Sequence, residues 1–224
     1  MPVIAIIFIM FFASFSVYFT LIFLHNVFLT FAIYYFICCI GIPITDVMIV
    51  QRKNIGELLR IIGFIWEKRE KSLLVGILHG LAIYGLMLFA YFILKDKVDL
   101  GYVVKSVQQW GMPHSGKWVI FIILVVFNGL VEEIFWRGYC FGRLKQKMKG
   151  WQAIVIVTIF YVSYHFITLI SFFNISVLSV SLILVVCFAG IIWGWMRNYF
   201  DNLWAPAAGH VLATCGYMTI FMLL

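Results

Sequence analysis

Residues 118–142 read WVIFIILVVFNGLVEEIFWRGYCFG, an apolar run that is interrupted past its middle by Glu132, Glu133 and Arg137. About 20 apolar residues are enough for one helix to cross a bilayer, so this run is long enough to span a membrane. A charged side chain at mid-bilayer costs at least about 2.5 kcal/mol, and such groups persist where they face a protein interior or a water-filled cavity. The stretch therefore predicts a transmembrane helix that turns its charged groups towards the inside of a larger bundle.

The rest of the chain is similarly apolar. Of its 224 residues, 65% are hydrophobic and 11% are charged, and the mean hydropathy is +1.08. Soluble domains are about half apolar and about a quarter charged, so the composition excludes a soluble globular protein, a disordered chain and a disulfide-stapled secreted domain. A β-barrel is disfavoured because the apolar residues run continuously and do not alternate. We predict an all-α, polytopic transmembrane bundle of about seven to eight helices around a polar intramembrane cavity, with residues 1–224 forming a single membrane-embedded domain.

Apolar segments and basic connections together predict the topology. Seven segments can be drawn: Pro2–Leu24, Val27–Val50, Ser72–Leu94, Trp118–Gly142, Trp151–Phe173, Ser176–Met196 and Leu203–Leu224. Lys and Arg concentrate after the second, fourth and sixth segments, so the positive-inside rule places the N-terminus in the cytoplasm and the C-terminus outside. An eighth, cryptic span would move the N-terminus. The net charge of +7 is explained by these basic connections and does not indicate nucleic-acid binding.

One further apolar stretch, Gly56–Trp66, is too short to span a bilayer. It is interpreted either as an interfacial helix or as an extension of the third span.

Polar residues in three different segments are predicted to form one site. Along the helix axes, Glu132 lies roughly 16 Å before Arg143, His210 roughly 12 Å past Asn202, and His165 roughly 24 Å past Lys149. With helix tilt, all three can lie within the middle of a hydrocarbon core about 30 Å thick. The cavity predicted above would then hold one carboxylate and two imidazoles.

The acidic doublet is predicted to divide its roles by helix geometry. Glu133 and Arg137 stand at i and i+4 with the acid first, the better orientation for an ion pair. Glu132 is turned about 100° away from that pair and shares a helix face with Asn128 and Trp136. A carboxylate without a cation in such a cavity suits a general base for water. The structural alternative is that the histidines form interhelical hydrogen bonds and the ion pair joins helices, without any chemistry.

Three short motifs resemble those of a known family. The sequence EEIFWRG at 132–138 is similar to an E-E-x-x-x-R-G signature, YVSYH at 161–165 to an aromatic residue four positions before a His, and the small-residue-rich stretch 190–210 to one that ends in a His. In this order and spacing the motifs resemble the CAAX protease and bacteriocin-processing family, also called the ABI family, of intramembrane proteases. The resemblance covers about Ile122 to Thr214, within a family-matching half at about 118–224.

The resemblance implies a role for each matching residue. Peptide bonds would be hydrolysed in or near the bilayer, with Glu132 activating water, helped by His165. His210 would position the substrate or stabilise the oxyanion, and Glu133 and Arg137 would hold the site together.

This chain departs from the family pattern at two positions. Tyr161 stands where the family usually has Phe. Thr214 stands where Asn or Asp is common, and its hydroxyl is a weaker oxyanion donor than an amide. We count Asn128, Tyr161 and Thr214 as supporting residues of the site.

Cofactor and partners follow from the same reasoning. Glu132, His165 and His210 would suffice as a zinc set of the Glu-His₂ kind, yet the sequence lacks H-E-x-x-H spacing, so no tightly bound metal is expected.

The expected partners are a peptide or membrane-protein substrate and the lipid bilayer, and no nucleic acid. The family implies an active site that opens towards the cytosol. The alternative function is non-proteolytic, either a bacteriocin-immunity-like factor or a small proton-coupled transporter.

Overall fold

The computed structural model describes residues 1–97, 101–111 and 117–224. Within these ranges the chain forms nine helices and no strand. The helices are α1 Val3–Phe23, α2 Val27–Val50, α3 Ile55–Ile62, α4 Arg69–Leu94, α5 Gly101–Gln109, α6 117–145, α7 Gly150–Phe173, α8 Val177–Phe200 and α9 Trp204–Leu223.

Seven of these helices account for the predicted spans. Six of them, α1, α2, α4, α7, α8 and α9, are long and apolar enough to cross a membrane. The seventh, α6, covers the predicted fourth segment and carries the acidic doublet. The prediction of an all-α transmembrane bundle is confirmed.

The short helix α3 is separate from the third span. It starts with a capping box in which Asn54 and Glu57 bond each other's backbone, and it ends at Gly63 in the left-handed conformation, with φ of 90°. Glycine adopts this conformation without the steric cost that a Cβ imposes. The carbonyl of Gly63 accepts a hydrogen bond from the Leu203 amide at 2.8 Å, which fixes α3 beside the start of α9. Of the two interpretations of Gly56–Trp66, the extension of the third span is therefore wrong.

Close packing of α4 against α9 depends on small residues. A Cβ placed on Gly80 would lie 2.7 Å from Leu212 Cβ, closer than side chains normally approach. A Cβ on Gly216 would lie 3.0 Å from Met87 Sδ. Small residues allow helix backbones to approach in membranes, where packing replaces much of the hydrophobic driving force. This contact fixes α9, which carries His210 and Thr214, relative to its neighbours.

One end of the bundle is held by buried polar contacts. The Asp46 carboxylate near the end of α2 accepts hydrogen bonds from Arg143 at 2.6 Å, Tyr139 at 2.9 Å and Gln51 at 3.0 Å. Asp46 and Arg143 are both buried, so the carboxylate and the guanidinium neutralise each other in a region of low dielectric. These contacts join α2 to α6 at the end of the bundle where the basic connections lie.

Candidate active site

The Glu133 carboxylate is the centre of a buried ionic network. Its Oε1 accepts a hydrogen bond from Arg137 at 2.7 Å and lies 2.9 Å from Nδ1 of His210. Glu133 is fully buried and Arg137 is 1% exposed. The predicted i,i+4 ion pair is confirmed, and its second partner on α9 is an addition that the spacing did not reveal.

The Arg137 guanidinium is further held by neighbouring helices. It donates to the Gly190 carbonyl of α8 at 3.3 Å and lies over the Tyr161 ring, with Cζ 4.1 Å from the ring centroid. The Trp193 ring stacks on His210 with centroids 4.3 Å apart. The network thus connects α6, α7, α8 and α9 and fixes the orientation of the His210 ring.

Within the described residues, the hydrogen bonds of the neighbouring Glu132 carboxylate are all to neutral groups. The Tyr164 hydroxyl donates to its Oε2, and the Tyr35 hydroxyl lies 3.4 Å from its Oε1. The Tyr35 hydroxyl is also 2.9 Å from Asn128 Oδ1, so its single proton is shared between two acceptors. Asn128 in turn donates to the Tyr217 hydroxyl at 2.9 Å. Glu132 is therefore a fully buried carboxylate that is oriented by hydroxyls.

Local distortion of α6 surrounds the doublet. The helix takes π-type turns over Phe127–Val131 and over Ile134–Cys140, on either side of Glu132 and Glu133. Such wider turns are frequent at functional sites because they rotate side chains relative to a regular α-helix.

Both site histidines can be assigned a tautomer from their partners. His165 Nδ1 lies 2.9 Å from the Tyr161 carbonyl, which only accepts hydrogen bonds, so this nitrogen carries the proton. His210 Nδ1 faces the Glu133 carboxylate, so the same holds for His210. In each neutral ring, Nε2 then has a free lone pair. For His210 the Tyr161 hydroxyl lies 3.5 Å from that nitrogen and can donate to it.

A cavity of about 540 Å³ brings most of the predicted residues together. Glu132, His165 and His210 all line it, and so do three of the supporting residues, Asn128, Tyr161 and Thr214. Glu133 and Arg137 do not line it and lie buried behind His210.

Thr214 is fully buried. Within the described part of the chain, its hydroxyl has no hydrogen-bond partner.

The cavity is polar at its inner end and apolar elsewhere. Beyond the site its walls are mostly aliphatic and aromatic side chains, and it continues to Lys95 at the end of α4 and to Leu224 at the end of α9. Both lie at the end of the bundle opposite to Val3, where α1 begins. A cytoplasmic N-terminus and a cavity that opens towards the cytosol, both expected from the sequence, are therefore incompatible in this bundle.

The residues considered as zinc ligands do not form a cluster in the described part of the chain. Among the described residues, no three His, Cys, Asp or Glu side chains lie close enough together to hold a metal ion. Glu132, His165 and His210 line the same cavity, in which the Tyr161 hydroxyl faces His210 Nε2.

Sequence reasoning missed four aromatic residues of the site, Tyr35, Tyr164, Tyr217 and Trp193. Tyr164 directly precedes His165 inside the second motif and Trp193 lies within the third, and these positions were the available signals. Tyr35 is 97 residues from Glu132 along the chain, and nothing in an apolar segment distinguishes it from other tyrosines.

Fold and site define a multi-pass helical membrane protein with a buried carboxylate–histidine site in a deep cavity. A family model described as type II CAAX prenyl endopeptidase Rce1-like matches residues 114–215. This match agrees with the family that the three motifs resemble, and at family level it supports a CAAX-protease-like intramembrane endopeptidase. No curated protein and no solved structure matches the chain.

Proposed function

We propose that this protein hydrolyses peptide bonds within the membrane, using water that Glu132 and His165 activate. The observation that carries the proposal is the meeting of Glu132, His165 and His210 at the inner end of one cavity. A general base must reach the proton that it removes, directly or through one water. A water held at this end of the cavity would have acceptors on two sides.

Glu132 and His165 are suited to accept a proton. Among the described residues, Glu132 has no cation as a hydrogen-bond partner, so no ion pair there neutralises its negative charge. The free lone pair on His165 Nε2 supplies a second acceptor. In the proposed reaction Glu132 takes a proton from water as the oxygen attacks the carbonyl carbon, and it returns that proton to the leaving amine as the C–N bond breaks.

The oxyanion requires hydrogen-bond donors, and neutral His210 has none to offer. Its single N–H is directed at Glu133, so its Nε2 would donate only after gaining a proton. We assign the donor role to the Thr214 hydroxyl, which lines the same cavity and has no hydrogen-bond partner among the described residues. The Nε2 of His210 accepts a hydrogen bond from the Tyr161 hydroxyl and holds that ring in position.

The proposed reaction includes no step through a metal. The lack of a three-residue ligand cluster among the described residues supports this. The test is to measure cleavage after exhaustive chelation and to analyse the purified protein for metal. Loss of activity on chelation that zinc restores would contradict a metal-free reaction.

Glu132→Gln is the decisive variant, because glutamine keeps the shape of the side chain and removes the base. New peptide N-termini in membranes from cells that express the wild type should disappear with Glu132→Gln, as measured by N-terminal mass spectrometry. Glu57→Gln, in the exposed capping box of α3, is the matched control and should cleave like the wild type. A fully active Glu132→Gln protein would end the proposal.

The one-ended cavity favours hydrolysis over proton-coupled transport. A transporter must expose its site alternately to both sides of the membrane. Here the end of the bundle opposite to the cavity is joined by the buried contacts of Asp46 with Arg143 and Tyr139. A bacteriocin-immunity-like role would protect cells even when Glu132 is replaced, so the same variant distinguishes it from hydrolysis.

A further inference from the structure

The cavity reaches only one end of the bundle. In α1 it is lined by Val17 and Leu21, near the end of that helix, and in α9 it extends from His210 to Leu224. In α4 it is lined from Ile83 onwards to Lys95. The cavity therefore extends from the site towards the end at which α1, α4 and α9 finish.

The other end of the bundle is closed by polar side chains. The Asp46 cluster joins α2 to α6 there, and the Trp136 indole donates to the Tyr34 hydroxyl at 3.0 Å between the cluster and the site. At the same end Asp201 bonds Lys145 at 3.0 Å and Arg197 at 3.2 Å, which joins the ends of α6 and α8.

Positive charge is concentrated at this closed end. Of the 16 Lys and Arg residues, six lie in or beside the connection between α2 and α4, four around that between α6 and α7, and one, Arg197, near the end of α8. Four lie around the connection between α4 and α6, at the cavity end, and the remaining one is Arg137. Cytoplasmic loops carry the excess of Lys and Arg in membrane proteins.

We propose that the catalytic cavity opens on the extracytoplasmic side of the membrane and that substrates enter from there. The charge distribution places the closed end in the cytoplasm, and the cavity runs away from that end. The substrate part of the proposal rests on the proposed hydrolysis, whereas the orientation of the cavity does not.

The dimensions of the cavity define the substrate class. From His210 to Leu224 the wall of α9 runs for about 21 Å at 1.5 Å per residue. An extended chain covers about 3.3 Å per residue, so a segment of about six residues would match the length of that wall. Its walls there include Val103 and Val107 of α5 and Trp110, whose ring lies 4.9 Å from that of Phe172. The fitting substrate is a peptide or unwound helix end with about six apolar residues beside the scissile bond, exposed at the outer leaflet.

Two exposed lysines outside the long helices provide a matched pair for the test. Lys95 lines the mouth of the cavity, and Lys147 lies in the connection between α6 and α7 at the closed end. The variants Lys95→Cys and Lys147→Cys are expressed in bacterial cells and treated with a membrane-impermeant maleimide before and after permeabilisation. The wild-type chain, with its five native cysteines, gives the background labelling.

Lys95→Cys should be labelled as completely in intact cells as in permeabilised cells. Lys147→Cys should be labelled above background only after permeabilisation. Any other pattern, including labelling of Lys147→Cys in intact cells or protection of Lys95→Cys, overturns the proposed orientation. The readout is independent of catalysis, so an active Glu132→Gln protein would refute the hydrolase and leave this result unchanged.

Discussion

Replacing Glu133 by Gln should destabilise the protein, whereas the same change at Glu132 should not. Glu133→Gln leaves the Arg137 guanidinium buried without its counter-ion, although the glutamine oxygen can still accept its hydrogen bond. Breaking a buried ion pair by removing one partner costs about 3–5 kcal/mol. Because the hydrogen bond survives, we expect the lower end of that range, about 3 kcal/mol, which corresponds to a fall in Tm of about 6–12 °C for a chain of this size.

Glu132→Gln is the natural control, because it makes the identical change one residue away. Its hydrogen-bond partners are neutral hydroxyls, so removing the buried charge leaves no cation uncompensated, and the Tm should be unchanged or higher. Unfolding of the detergent-solubilised variants can be followed by tryptophan fluorescence, with monodispersity checked before heating. A Glu133→Gln protein within about 1 kcal/mol of the wild type, or a larger loss at Glu132, would refute the division of roles within the doublet.

Three further changes test packing, the site and the polar end of the bundle. Gly80→Ala places a Cβ against α9 and should lower the free energy of unfolding by about 1–3 kcal/mol. The control is Gly85→Ala on the same helix, whose Cβ would meet no described atom within 4 Å. In the same unfolding assay this control should be neutral or stabilising by up to about 1 kcal/mol. Tyr164→Phe removes the hydroxyl that orients Glu132. It should lower the rate at which an identified substrate is cleaved about 10- to 100-fold, with little change in KM. An unchanged cleavage rate contradicts the orienting role of Tyr164. Partial burial raises the pKa of Asp201, but the lysine and the arginine that bond it lower this pKa more, so it lies below its usual value of 3.8. The ionised carboxylate therefore stabilises the protein above about pH 4, and this stabilisation is lost as the pH falls further. Asp201→Asn should make the decrease in Tm between about pH 5 and about pH 3 smaller than in the wild type.

Much of the fold could be predicted from the sequence, because hydropathy is a local property. A run of apolar residues predicts a span wherever its neighbours lie, so the seven long helices follow from composition and length. The pairing of Glu133 with Arg137 was also predictable, since both stand on one helix and the i,i+4 spacing fixes their distance. The three motifs predicted the family in the same way.

The surroundings of Glu132 depended on the tertiary structure. Tyr35 reaches it from α2 and Tyr164 from α7, and which side chains meet is decided by how helices rotate and approach in the bundle. Spacing within one segment carries no information on that rotation. The tautomers of His165 and His210 likewise follow from acceptors that only the packed helices bring close.

The sequence by itself determined that this chain spans the membrane several times, that an acidic doublet and two histidines lie within the spans, and that positive charge gathers on one side. Only the tertiary structure decided that Glu133 is joined to His210 and that the cavity beyond Glu132 reaches one end of the bundle alone. The physical reason is that hydropathy and charge are summed along the chain, whereas a cavity is the space that packed helices leave between them. Its direction is therefore fixed by helix packing.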